Sequence, residues 1–136
     1  MTTKILWEIA SSIATIIGLV HFSGTFWSKL LHPVDSKLMT TMKAVPINID
    51  KNAILWKAWL GFNVAFSIGL IFFGSINFYI ANQHLELIKG VTFISIASII
   101  CMVLMVWTAY KFLIGKVVRA FSIVLILFFI SVLLEL

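Results

Sequence analysis

At 136 residues, 62% apolar and only 11% charged, the chain has room for one domain and little beyond a lipid-soluble core. Its single cysteine, Cys101, excludes an intramolecular disulfide and with it the paired-thiol oxidoreductases. The net charge of +5 rides on a chain too apolar for a nucleic-acid-binding domain, so no nucleic acid is expected as partner and the charge is read as topology information.

Four apolar runs, about 5–31, 54–81, 91–110 and 117–136, fill most of the length. Roughly 20 helical residues cross a hydrocarbon layer about 30 Å thick. A soluble helix of this kind would lack a wet face. The expected fold is therefore all-α: one transmembrane domain over 1–136, a four-helix bundle in a lipid bilayer.

The first run is too long for a signal-peptide core, is interrupted by Glu8 and His21, and is followed by no clear small-residue cleavage site, so it is expected to be retained as a span. Its polar and small residues, Glu8, Ser11 or Ser12, Thr15, Gly18, His21, Thr25 and Ser28, step by three or four along one face. Pro33 stops it. Asp35 or Ser36 is a plausible N-cap for a short helix over about 36–45, where Leu38, Met39, Met42 and Val45 oppose Lys37 and Lys43. This pattern predicts an amphipathic helix on the cytoplasmic membrane surface, ended by Pro46. Asp50 or Asn52 would cap the second span.

That span repeats the polar stripe with Trp56, Asn63, Ser67, Gly74 and Asn77. Short connections at 82–89 and 111–116 make the second, third and fourth spans antiparallel neighbours. The third span has a weaker line through Ser95, Ser98, Cys101 or Met102, Met105 and Thr108. The fourth is almost wholly apolar past Arg119 and Ser122, and reads as the most lipid-exposed. Small and hydroxyl residues along such stripes are ordinarily packing contacts between helices.

With four crossings, Lys4 and Lys89 are the basic residues on one side. Lys29, Lys37, Lys43, Lys51, Lys57, Lys111, Lys116 and Arg119 fall on the other. Basic residues stay cytoplasmic, which predicts both termini outside. Trp27, Trp56, Trp59, Trp107 and Tyr110 cluster near the cytoplasmic ends, while Trp7 and Tyr79 mark the outer side.

Depth brings the costly polar groups together. Counted from the cytoplasmic ends of their spans, His21 and Asn63 lie at a common depth of about 12–14 Å, with Cys101 and Met102 in the same layer. Ionisable groups at such depth are candidates for function, although one histidine is also satisfied by one asparagine. The candidate ligand-binding set is His21, Thr25, Trp56, Trp59, Asn63, Ser67, Cys101 and Met105. Glu8 and Asn77, with Glu135 near by, would form an outer layer, and Lys57 and Arg119 are candidates for a lipid headgroup.

No catalytic residues are assigned, because no nucleophile, base and orienting group assemble. No cofactor is expected. His32 and His84 fall in connections on opposite sides, so they cannot pair on a haem, and zinc chemistry lacks three ligands. A Cu(I) site of Cys101, Met102, Met105 and His21 has no second methionine or cysteine motif behind it.

The stretch Leu55-Trp56-Lys57-Ala58-Trp59-Leu60-Gly61-Phe62-Asn63, followed by Ser67 and Gly69, resembles a motif of small uncharacterised four-helix bacterial membrane proteins. His21, Gly24-Thr25 and Pro33-Val34-Asp35 are similar to the same group. The resemblance spans the chain in length and helix arrangement and implies a bacterial inner-membrane location, but no activity. Relatives often carry a histidine where this chain has Phe66, which implies that a two-histidine site is missing here.

These residues lead to two expectations. One is binding or transport of a small or lipid-like ligand in a polar pocket between the first and second spans. The other is an accessory subunit or assembly factor packing on a membrane partner, or on a second copy, through Gly69, Gly74 and the fourth span.

Overall fold

Unbroken apolar sequence free of internal proline makes long helices, and the computed structural model, which describes residues 1–28 and 30–136, contains four of them. Lys29, counted above toward the basic side, lies outside the described residues. The long helices are α1 (Thr2–Phe26), α3 (Leu55–Gln83), α4 (Phe93–Phe112) and α5 (Gly115–Leu133). All four are long and apolar enough to cross a membrane, which makes this a multi-pass membrane protein with an all-α four-helix bundle fold. The residues group into two compact units, Met1–Ile16 with Phe72–Leu136, and Ile17–Ile71.

In the first unit, the start of α1, the end of α3, and α4 and α5 enclose an apolar core. Trp7 lies against Phe128 with ring centroids 4.5 Å apart, and Phe73 meets Phe128 edge-on. Ala10, Ala14, Met102, Phe121 and Val124 are buried around them. A methyl group on Gly74 would stand 2.6 Å from both Ser11 O and Thr15 N, so only glycine allows α1 and α3 to approach so closely here. The expectation that the last span is the most lipid-exposed is corrected. Phe121, Val124, Phe128, Ser131 and Val132 of α5 are buried, and Ser131 Oγ donates to Thr3 O at 3.1 Å. Alternate turns of bulky side chains gave α5 an inward face that an all-apolar sequence hides.

Gly90, at φ +67°, turns the chain into α4, where Thr92 and Ser95 form a reciprocal capping box. The first unit's ends are tied by Thr3 Oγ1 donating to Glu135 Oε1 at 2.5 Å.

In the second unit, α1 stops at Phe26, short of the 31 predicted, because side chains take over its last carbonyls. Ser28 Oγ donates to Gly24 O at 3.3 Å, and His32 Nε2 lies 3.3 Å from Thr25 O. The short helix α2 (Ser36–Ala44) follows as expected, capped by Asp35, whose carboxylate accepts from Lys37 N at 2.8 Å.

Next comes a hairpin that the periodicity did not reveal. Strand β1 (Pro46–Ile47) pairs antiparallel with β2 (Asp50–Ile54), Pro46 opposite Ile54. Asp50, expected as a helix cap, instead accepts from Asn52 N within β2, and Leu55 N donates to Val45 O to close the hairpin onto α3. Gly18 supplies this unit's close approach, for a methyl there would stand 2.9 Å from Ile71 N.

Candidate functional site

The second unit joins the two residues matched by depth in the sequence. The His21 Nε2 to Asn63 Oδ1 distance is 3.0 Å. A carboxamide oxygen only accepts, and Asn63 Nδ2 is committed to Trp59 O at 2.8 Å. Nε2 is therefore the donor, and Nδ1 has no partner among the described residues. Phe66 packs edge-on against the imidazole at 4.9 Å.

The hydroxyls expected to line a pocket here each donate within their own helix. Thr25 Oγ1 donates to His21 O and Ser67 Oγ to Asn63 O, both at 2.8 Å. Each is buried and satisfied by the carbonyl four residues earlier, the usual local solution for a hydroxyl in an apolar helix. Thr25 and Ser67 thus hold the backbone around the pair.

Trp56 and Trp59 form a parallel stack at 4.9 Å, with interplanar angle 12°. His32, read in the sequence as a mere connection, stands edge-on to Trp56 at 5.0 Å and to Trp59 at 6.1 Å. The Lys43 ammonium lies 6.0 Å from the Trp56 ring. These aromatics clasp the extramembrane segment to the first turns of α3. Nothing in the sequence pattern pointed to His32 except its place one residue before Pro33.

Cys101, grouped with the pair by depth, and Met105, a candidate for the same site, lie on α4 in the first unit, both half-buried. Lys57 and Arg119 are exposed. Among the described residues no three of His, Cys, Asp and Glu converge as a metal site would require.

The first unit holds a polar node of its own. Trp7 Nε1 donates to Asn77 Oδ1 at 3.1 Å, Ser98 Oγ donates to the same oxygen at 2.9 Å, and Asn77 Nδ2 donates to Phe73 O at 3.0 Å. One expectation is corrected here. Trp7 is no interfacial anchor but a wholly buried core residue. Its bond to Asn77 holds that asparagine level with the first turns of α1, where Glu8 pairs with Lys4 at 3.6 Å.

The first unit also contains an open groove of about 310 Å³, lined by Ser12, Thr15 and Ile16 of α1 and by Ser75 and Phe78 of α3. Thr15 Oγ1 donates to Ser11 O at 3.0 Å. Ser12 and Ser75 make no hydrogen bond among the described residues. They are the chain neighbours of Ser11 and Gly74, turned about 100° from the packed stripe. That rotation puts them at the lip of the helix contact, a placement their spacing in the sequence carries.

Comparison with protein-family models, with the curated proteins and with the solved structures finds no match.

Proposed function

We propose that this protein binds a lipid-like or small amphiphilic ligand in the membrane, between α1 and α3, as a carrier or transporter of it. The observation that carries this reading is the groove at Ser12, Thr15, Ile16, Ser75 and Phe78, where the hydroxyls of Ser12 and Ser75 have no partner among the described residues. Hydroxyls in a hydrocarbon setting are normally satisfied by their own helix or a neighbour. A groove that offers two of them beside Ile16 and Phe78 suits a ligand with an apolar body and one hydrogen-bonding group. In this reading the His21–Asn63 bond positions α1 against α3 within the second unit.

The protein is placed, in the same proposal, in the bacterial inner membrane with both termini outside, on the strength of eight Lys/Arg against two. The test is native mass spectrometry of the protein released from its own membrane. A defined amphiphile should remain bound, and Ser12→Leu with Ser75→Leu should abolish its retention while leaving helix content unchanged. Retention undiminished in the filled-groove variant would refute the reading.

One observation favours the second reading, a subunit that packs on a membrane partner. A methyl group added at Gly61 or Gly69 would meet nothing within 4 Å beyond its own helix among the described residues, and with Ala65 these glycines form an exposed, small-residue line on α3. Gly74 no longer supports it, since it is consumed in packing against Ser11 and Thr15. Gly69→Leu should release a co-purifying partner if this reading holds, and leave the isolated protein unchanged if it does not.

A further inference from the structure

The segment that joins α1 to α3 carries more exposed apolar and basic side chains than a solvated loop needs. Helix α2 is nine residues long and buries none of them. Isolated helices shorter than about 12–15 residues are marginal in water, so this one needs a surface to order against. Its flanks supply Val34 and Ile49, exposed to 104% and 90%, along with Leu38 and Val45. Ile49 stands at the tip of the β1–β2 hairpin.

The charges of the segment are sorted in one direction. Both carboxylates are turned onto backbone amides, Asp35 accepting from Lys37 N and Asp50 from Asn52 N, each at 2.8 Å. Lys37, Lys43 and Lys51, and Lys57 in the first turn of α3, are exposed, and none makes an ion pair among the described residues. The bond from Leu55 N to Val45 O and the Pro46–Ile54 pairing fix the end of α2 and the hairpin to the first turn of a membrane-spanning helix.

We infer that α2 and the hairpin form a docking surface for anionic phospholipid headgroups of the bilayer that the long helices cross. Lysines with no internal counter-ion meet the headgroup phosphates, while Leu38, Val45 and Ile49 enter the acyl boundary. The occupant is lipid rather than a protein because the surface is fastened to the bilayer boundary by the Val45–Leu55 bond. The inference stands independently of the groove in the first unit.

The test is hydrogen exchange of the full chain in nanodiscs of phosphatidylcholine alone, or of phosphatidylcholine mixed with phosphatidylglycerol. Amides of 36–54 should exchange at least about tenfold more slowly in the anionic discs, and added salt should erase the difference. The Lys37→Gln, Lys43→Gln, Lys51→Gln, Lys57→Gln variant should lose the difference while α3, α4 and α5 keep their protection. Ile49→Ser should reduce it in part. Equal exchange in the two disc types, protection that survives in the quadruple variant, or protection that requires a co-purified protein would each overturn the proposal.

Discussion

The two units solve one problem with nearly the same parts. In each, a ring N–H on α1 donates to an asparagine oxygen on α3: Trp7 to Asn77 in the first, His21 to Asn63 in the second. In each, the asparagine nitrogen is committed to the carbonyl four residues back, and a hydroxyl four residues after the ring, Ser11 or Thr25, caps the ring residue's own carbonyl. The pieces differ in what is left over. Asn77 Oδ1 takes a second donor from Ser98, Trp7 is wholly buried against Phe128, and an indole has no second nitrogen. The half-buried His21 has a second ring nitrogen, Nδ1, without a partner among the described residues. A polar bond inside a membrane is thus structural when every valence is used, and becomes a candidate for function when the ring chosen leaves one open.

The comparison is tested most severely at the glycine beside the closed bond. Gly74→Ala should cost about 1–3 kcal/mol by overpacking onto Ser11 and Thr15, whereas Gly69→Ala should leave thermal unfolding in detergent unchanged. Equal midpoints for the two variants would show that Gly74 is not required for the approach of α1 to α3.

Asn77→Leu comes next. It strands the Trp7 N–H and the Ser98 hydroxyl together, and should cost about 1–3 kcal/mol. Asn63→Leu strands one ring N–H that is half-exposed, and should cost about 0.6–1.7 kcal/mol. A larger loss at Asn63 than at Asn77, measured in the same detergent, would reverse the assignment of closed and open bonds.

The smallest expected effect on stability belongs to the groove. Ser12→Leu and Ser75→Leu should each change stability by less than about 0.5 kcal/mol while removing bound amphiphile. A strongly destabilised Ser12→Leu would mean that the groove is closed in the folded protein.

Much of this was legible in the sequence. Apolar run length set the four long helices to within a few residues, apart from the early end of α1, and the Asp35 cap placed α2. Counting depth along the spans matched His21 with Asn63 because rise per residue in a helix is fixed. What failed were features that depend on a partner's position. Trp7, near a helix end, has the signature of an interfacial aromatic, and only Phe128 and Asn77 around it make it a core residue. Gly69 and Gly74 look alike in sequence, yet five helical residues turn them about 140° apart, so one meets α1 and the other meets nothing. The hairpin at 46–54 was hidden by Pro46, which reads as a helix stop and also opens β1. Thr25 and Ser67 were legible as inward-facing but not as self-satisfied, since bonding to the carbonyl four residues back leaves no trace in spacing.

The facing of α1's polar side toward α3 is tested most directly at the imidazole of residue 21. Nitrogen-15 correlation spectra of the histidine ring, recorded on the full chain in lipid, should show one fixed tautomer with the proton on Nε2 and Nδ1 bare, lost in Asn63→Leu. A ring protonated on Nδ1, or one averaging between tautomers identically with and without Asn63, would contradict the account.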